Sequence, residues 1–203
     1  MAPRAHRDHP EVERKRQLLE AAHIAPLTDF VRRLRAEHGP DSVPFFDPTE
    51  GGTDASILLL FENPGRRADA VHCSGFISAD NDDRSAENTW GFYREAGIDR
   101  ARDIAWNIVP WYLGDASRIV RTHDLDEARP ALSELLPLLP RLRVVVLFGR
   151  KAQQGWERTR PSVDVPVLRA PHPSGRWLNA HPEDRPVIVA RLREARRLAG
   201  LGQ

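Results

Sequence analysis

The chain has 203 residues, a formal net charge of +1 and a hydrophobic content of 40%, which together suit one compact domain with a buried core. Its longest apolar runs, 57–61 and 144–148, are far too short to cross a bilayer, and its polar N-terminus lacks a secretory-signal pattern. The single cysteine, Cys73, excludes an internal disulfide and a four-thiolate iron–sulfur cluster. The eight histidines are scattered, so we expect no metal and no cofactor. We expect a cytoplasmic monomer that does not contact a membrane.

The predicted elements begin after residues 1–9, which we predict to be disordered. A helix with one apolar face follows and ends near Gly39 and Pro40, and the segment 41–55 is predicted to be a loop. Four short apolar runs bounded by turn residues are predicted strands: 56–61, 103–109, 143–148 and 165–169. The intervening and final helices are predicted over 85–96, 124–139, 150–156 and 182–198. This alternation predicts a single α/β domain over 10–203, a three-layer α/β/α sandwich with a central, mostly parallel four-stranded sheet.

Candidate functional residues follow from the position of the strand ends, because functional residues of parallel sheets gather beyond the carboxyl ends of the strands. The first candidate is the turn 62–65, whose exposed backbone N–H groups could hold an oxygen or a water. An ordinary strand-to-helix turn would have the same sequence. The second is Asn107, whose carboxamide could read the edge of a base or could bond to loop backbone.

Two further candidates lie in loops. His172 stands between two prolines and is followed by serine and glycine, so its backbone is fixed beside a loop that could approach another molecule. It could equally be a structural histidine of a surface loop. Phe76 follows a glycine in a polar stretch and could stack on a planar ligand or belong to the core. The range 141–176 has eight basic and two acidic residues, which could face phosphates or form a solvated arginine-rich surface.

The order and spacing of these motifs resemble the uracil-DNA glycosylase superfamily. In that family a strand leads into a turn such as G-Q-D-P-Y, G-E-A-P-G or G-I-N-P-G, and a stacking Phe, an Asn-bearing strand end and an H-P-S loop follow in this order. This chain has FENPG at 61–65, then Phe76, Asn107 and HPS at 172–174. The stretch VVVLFGRKAQ at 144–153 also resembles the strand, Gly turn and helix that precede the last motif. The resemblance covers roughly 55–195 and implies the fold predicted above.

The resemblance also implies a role for each matched residue. Asn63 would position the attacking water, and His172 would donate to the carbonyl oxygen that gains charge as the glycosidic bond breaks. Phe76 would stack on the flipped base, and Asn107 would bond its Watson–Crick edge. The other turn residues expected at the base are Glu62, Pro64 and Gly65. The residues expected to contact DNA are Lys151, Ser174, Gly175 and Arg176.

Several departures from the family pattern affect the expected specificity. The leading Gly of the first motif is Phe61, and Gly65 stands where the strictest uracil enzymes carry a Tyr that excludes the thymine methyl group. We therefore expect broader base tolerance. Glu62 is shared with the iron–sulfur branch, whose cluster cysteines this chain lacks, and the segment 78–88 has no counterpart in the well-known branches. The chain thus resembles a bacterial subgroup without the cluster, although the acids of 78–88 could simply form a helix cap and a turn.

These features lead to one favoured function and two alternatives. The favoured one is a monofunctional DNA glycosylase that flips uracil or a related deaminated base out of DNA and hydrolyses its N-glycosidic bond in base excision repair. The first alternative is a nucleobase- or DNA-binding module of the same fold with weak or absent catalysis. The second is a hydrolase that acts on free nucleosides or nucleotides.

Overall fold

Four short strands lie side by side in parallel at the centre of the molecule, and the two inner ones are buried apolar runs. The computed structural model describes residues 3–65, 73–114 and 119–201. The strands are β1 (Phe45–Phe46), β2 (Ile57–Phe61), β3 (Phe76–Ile77), β4 (Asp103–Asn107), β5 (Val144–Phe148) and β6 (Val167–Ala170). The α-helices are α1 (His9–Arg16), α2 (Ala25–His38), α3 (Arg84–Ala96), α4 (Thr122–Glu127), α5 (Arg129–Leu135), α6 (Gly149–Thr159), α7 (Gly175–Ala180) and α8 (Asp184–Leu198). None of these described helices is long and apolar enough to cross a membrane.

The central sheet has four strands in the order β4-β2-β5-β6, and each neighbouring pair is parallel. In the register, Phe61 of β2 is opposite Asn107 of β4, and Leu60 is opposite Leu147 of β5. The two inner strands read as continuous apolar runs because both faces of the sheet are covered. The predicted sandwich with a mostly parallel four-stranded sheet is confirmed.

Helices cover both faces of this sheet and produce the three layers. Leu58 and Leu60 of β2 join a hydrophobic cluster with α2, α4, α5 and α6 on one face. Ile57 and Leu59 join a second cluster with α3 and α8 on the other face. Alternate residues of a strand point to opposite faces, so one strand anchors both clusters. The carboxyl ends of β2 and β4 are thereby fixed next to each other, under the start of α3.

The N-terminal segment differs from the disorder predicted for residues 1–9. Over residues 3–9 the chain is ordered by distant partners: Ala5–Arg7 is a 3₁₀ helix, the His6 N–H donates to the Asp80 carbonyl at 3.0 Å, and the Arg4 guanidinium bonds Asp82 at 3.1 Å. Residues 1 and 2 lie outside the described part of the chain. A polar composition suggested disorder because these partners lie far along the sequence.

Two shorter elements also differ from the sequence prediction. β1 lies in the predicted loop 41–55 and pairs in parallel with β3, where Phe45 is opposite Phe76. Strands of two residues are too short to show an alternating pattern. The predicted helix 124–139 is divided into α4, α5 and a 3₁₀ turn, because Pro130 opens α5 and a proline has no N–H to continue the preceding helix.

Candidate functional site

A cavity of about 300 Å³ opens at the carboxyl ends of β2 and β4, where the sheet meets α3. The turn after β2, the segment after β3, one side of α3 and the loop after β6 form its wall. The lining residues are Phe61, Glu62, Asn63, Pro64, Gly65, Ile77, Ser78, Ala79, Asn81, Asp83, Ser85, Ala86, Thr89, Tyr93, Ala105, Asn107, His172 and Pro173. Adjacent parallel strands end at one edge of the sheet, which is why segments distant in sequence meet here.

Six of the residues selected from the sequence line this one cavity. They are Glu62, Asn63, Pro64, Gly65, Asn107 and His172. Gly65 is exposed, and a Cβ built on it would meet nothing within 4 Å among the described residues.

Phe76 is not among the residues that line the cavity. Its side chain is only 1% exposed, and its ring packs near that of His6 with centroids 5.9 Å apart. Gly75 has a φ of +74° and, together with the pairing of β3 with β1, turns this ring into the interior. Phe76 is therefore a core residue here, in place of the stacking residue implied by the family resemblance.

His172 is held as a neutral hydrogen-bond donor. The backbone N–H of Ser174 donates to His172 Nδ1 at 3.1 Å, so Nδ1 acts as an acceptor and the ring proton belongs on Nε2. Burial lowers the pKa of His172 to about 4, which keeps the ring uncharged at neutral pH. Gly149 makes room for the ring, because a Cβ there would lie 3.0 Å from the His172 Cβ. The Nε2–H group is thus available to a ligand as a neutral donor.

Asn107 ends β4 with its carboxamide in the cavity. Its side chain is 4% exposed, yet within residues 3–65, 73–114 and 119–201 the carboxamide makes no hydrogen bond. Buried polar groups normally have partners, and an amide offers both a donor and an acceptor. The arrangement suits a ligand whose edge carries a carbonyl beside an N–H group.

The turn after β2 contributes one amide and one carboxyl. The Asn63 amide donates to the Pro64 carbonyl at 3.2 Å, which holds the side chain against the turn and leaves its oxygen free to accept from a water. The turn is anchored to the end of β4, since the Val109 N–H donates to the Glu62 carbonyl at 3.0 Å. Burial raises the pKa of Glu62, and the charge of Lys151 partly opposes this shift.

The segment 78–88 forms a wall of the cavity that the sequence did not reveal. Asp83 caps α3, because its Oδ1 accepts from the N–H groups of Ser85 at 2.8 Å and Ala86 at 2.9 Å. The interpretation as a helix cap is therefore confirmed for Asp83, whereas Asp80 pairs with Lys15 and Arg100 and Asp82 pairs with Arg4 and Arg7. Asn81 is fixed on the same wall, where it accepts from Ser74 Oγ at 2.6 Å and donates to the Phe76 carbonyl at 2.9 Å. The sequence of 78–88 predicts only a helix cap and a turn, and neither indicates a cavity.

A wider groove of about 900 Å³ adjoins the cavity and shares Glu62 and His172 with it. Its other lining residues are Gly149, Arg150, Lys151, Gln153, Arg169, Ala170, Pro171, Ser174 and Trp177. Lys151 and Ser174, both selected from the sequence for DNA contact, therefore lie beside the cavity. Trp177, 43% exposed, was not selected.

Gly175 and Arg176 are outside the described linings of both the cavity and the groove. Gly175 packs closely on α3, because a Cβ there would lie 2.4 Å from Arg84 Cγ. Arg176 is exposed on α7. Part of the basic surplus in 141–176 is paired with acids at the surface, as in Arg158 with Asp126 at 2.6 Å.

One comparison with known proteins identifies the family. Residues 48–195 match the profile of the Uracil DNA glycosylase superfamily, a range that includes all four strands of the central sheet. A search of curated proteins finds no match. Among solved structures, a mimivirus UNG variant crystallised in complex with UGI is similar at 11% identity and a TM-score of 0.36, over 83% of this chain and 71% of that chain. The chain belongs to the uracil DNA glycosylase superfamily.

Proposed function

We propose that this protein is a monofunctional DNA glycosylase, which takes uracil or a related deaminated base into the cavity and hydrolyses its N-glycosidic bond. The observation that carries the proposal is the meeting of Asn63, Asn107 and a neutral His172 around one cavity of nucleobase scale. A base inside a duplex cannot reach such a site, so it must be rotated out at a cost of a few kcal/mol. We propose that the protein does so as a monomer, in base excision repair.

Recognition of the base falls to Asn107. Its amide can donate to a carbonyl and accept from a ring N–H at the same time, which is the pattern on the Watson–Crick edge of uracil and of hypoxanthine. The lack of a side chain at Gly65 supports tolerance of more than one deaminated base.

Bond breakage is assisted by His172. As the bond from the sugar C1′ to the base nitrogen lengthens, its electron pair moves onto the base and negative charge gathers on the carbonyl oxygen. A neutral Nε2–H placed at that oxygen stabilises the charge, and removal of such a donor typically costs about 10²–10³-fold in rate. The neutral imidazole is suited to this role because, unlike an imidazolium, it carries no positive charge that would be left without a partner when the anionic base departs.

The water is positioned by Asn63. An amide cannot deprotonate water, so Asn63 only orients the oxygen of the water toward the cationic C1′. As the new C1′–O bond forms, the water releases a proton to the departed anionic base or to bulk water, which leaves a neutral base and a hydroxyl group on the sugar. We infer that the chemical step is slower than it would be with a carboxylate at this position.

The DNA strand would follow the groove beside the cavity. Lys151 and Arg150 lie in the first turn of α6, which contains no acidic residue of its own, and Glu62 is the acid that shares the groove with them. Cationic groups at a helix N-terminus attract phosphates. The groove shares His172 with the cavity, so a strand there would be next to the base that is removed.

The test is an excision assay with single- and double-stranded oligonucleotides that carry uracil, hypoxanthine or xanthine, followed by alkaline cleavage of abasic sites. We expect strand breaks that fall about 10²–10³-fold with His172→Ala, and that also fall with Asn107→Ala. Arg197→Ala, an exposed cation in the last turn of α8, is the matched control and should leave excision unchanged. Base-dependent binding without breaks would favour the binding module, and cleavage of free nucleosides alone would favour the nucleoside hydrolase.

A further inference from the structure

Phe61, the last residue of β2, presents an aromatic ring to the cavity. Its ring lies parallel to that of Phe148, the last residue of β5, with centroids 4.7 Å apart and planes 6° apart. Phe148 is 1% exposed and belongs to the core, whereas Phe61 is half-buried and lines the cavity. Phe148 therefore covers one face of the Phe61 ring. The His172 ring meets the Phe61 ring edge-on, with centroids 6.4 Å apart, and both residues line the cavity, so we place the cavity on the side away from Phe148.

The sheet register shows what lies beyond that second face. Phe61 and Asn107 are opposite each other in neighbouring parallel strands, so their side chains rise from the same face of the sheet. The separation of the two rings is close to the usual spacing of neighbouring strands, about 4.8 Å. A planar group that continued this stack would stand above β4. There Ala105 has a short side chain that lines the cavity, and the register places Asn107 beside the position of the group.

We propose that Phe61 supplies the stacking surface for the base, which forms a third layer on Phe148 and Phe61 with its edge on Asn107. This assignment rests on the proposed function and departs from the family pattern, in which position 61 is Gly and the stacking residue corresponds to Phe76. Here Phe76 is sequestered in the core, and the aromatic surface has moved from a loop to the edge of the sheet.

The assignment has a measurable signature in affinity. Stacking on an aromatic side chain contributes roughly 5- to 150-fold to the binding of a base. The contribution grows with the ring area that is covered, so a bicyclic base depends on Phe61 more than a monocyclic base does. Reading by Asn107 at the edge is separate, and its loss affects both kinds of base alike.

The experiment compares one substitution at two phenylalanines, Phe61→Leu and Phe76→Leu. Calorimetric titration of each full-length variant with free uracil and free hypoxanthine gives the affinities, and thermal unfolding shows that the protein is folded. We expect Phe61→Leu to weaken uracil roughly 5-fold or more and hypoxanthine by a larger factor. Phe76→Leu should lower the melting temperature and leave both affinities within about twofold.

Two further variants keep the test decisive if Phe61→Leu does not fold. Phe61→Met has a similar volume without an aromatic face, and it should weaken binding in the same way. Phe61→Tyr keeps the face and should bind as the unaltered protein does. If Phe61→Met binds both bases as well as Phe61→Tyr does, the assignment is overturned.

The outcomes separate this assignment from the proposed function. If base binding depends on Phe61 but no base is excised, the proposed stacking role of Phe61 stands and the proposed glycosylase activity is refuted. Excision that survives Phe61→Leu with unchanged affinity for both bases, or that instead requires Phe76, would refute the stacking surface alone. A protein that neither binds nor excises any of these bases would refute both.

Discussion

The two walls of the cavity differ in what supports them. The wall at the strand ends presents Asn107 and a His172 that burial keeps neutral, and apolar strands support it. The opposite wall, 77–83, rests on a buried ionic cluster formed by Lys15, Asp47, Asp80 and Arg100. Neutral side chains that are supported by apolar strands can be substituted one at a time, whereas buried charged side chains depend on one another.

The ionic cluster is centred on Lys15, whose side chain is fully buried. Its Nζ bonds Asp47 Oδ2 at 2.6 Å and Asp80 Oδ2 at 2.7 Å, and Arg100 bonds the same two carboxylates at 3.0 and 2.8 Å. Burial acts to raise the pKa of Asp47, but the charges of Lys15 and Arg100 outweigh it and hold that pKa below its ordinary value. Ligand-type atoms of His6, Asp47 and Asp80 lie within 4.8 Å of one another, and both carboxylates are already bonded by Lys15 and Arg100.

The cluster connects the N-terminal segment to the cavity. Ser78 Oγ, on the cavity wall, donates to Asp47 Oδ2, and His6 Nδ1 lies 2.8 Å from Asn81 Oδ1 on the same wall. The matched family range begins at residue 48, so Lys15, Asp47 and His6 all precede it. The family range thus supplies the groups at the strand ends, and the preceding residues help to hold the opposite wall.

The largest expected effect is the loss of Lys15. In Lys15→Met, the two buried carboxylates would keep the charge of Arg100 but lose that of Lys15, and removal of one partner from a buried ion pair typically costs about 3–5 kcal/mol. Urea unfolding should show a loss of this size. The control is Arg32→Met, because Arg32 pairs with Asp29 at 3.0 Å on the surface, where an ion pair contributes about 1 kcal/mol or less. Equal losses in the two variants would contradict the distinction between the walls.

At the strand-end wall, Gly149→Ala should affect activity more than stability. Gly149 has a φ of +81°, and the added methyl would press on the His172 Cβ at 3.0 Å. Left-handed backbone costs an L-residue about 1–2 kcal/mol, so the fold should survive while the displaced His172 slows excision about tenfold or more. Gly200→Ala is a matched control, with a φ of +73° and nothing described within 4 Å. Gly200→Ala should therefore have the same backbone strain without a loss of excision activity. An equal loss of excision activity in both variants would exclude a specific effect on His172.

The sequence predicts the strand-end wall far better than the ionic wall. Buried parallel strands are continuous apolar runs, so β2 and β4 were evident, and the strand-end rule then placed Asn63 and Asn107 together. Lys15 lies in the strongly polar helix HPEVERKR, and such a sequence predicts a solvent-exposed side chain. Its burial depends on Asp47 and Asp80, which lie 32 and 65 residues away in the sequence. Phe76 was ambiguous for a similar reason, because its pairing through β1 depends on two-residue strands without a sequence pattern.

Asp103, near the ionic cluster, and His172, at the strand-end wall, should change the free energy of unfolding with pH in opposite directions. Burial raises the pKa of Asp103, near the cluster, from 3.8 to about 7, so the folded protein holds this proton longer than the unfolded chain does. The free energy of unfolding therefore falls as pH rises through that window. For His172 the pKa is lowered from 6.5 to about 4, so the unfolded chain binds the extra proton and the free energy of unfolding rises with pH.

Asp103→Asn separates the contributions of Asp103 and His172 to the pH dependence of stability. Without the Asp103 carboxyl, urea unfolding between pH 4 and 6.5 should show stability that rises more steeply with pH than in the unaltered protein, by at most about 1.4 kcal/mol per pH unit. Asp164→Asn, which removes an exposed acid, should leave the pH profile unchanged. A profile of Asp103→Asn that coincides with that of the unaltered protein would show that Asp103 ionises at its ordinary pKa.

The most direct test of the central claim is a crystal structure with an oligonucleotide that carries the uncleavable 2′-fluoro analogue of deoxyuridine. The expected result is a flipped uracil in the cavity, with one carbonyl oxygen about 3 Å from His172 Nε2 and its edge hydrogen-bonded to Asn107. A uracil that remained in the helix, or that bound away from His172 and Asn107, would contradict the account.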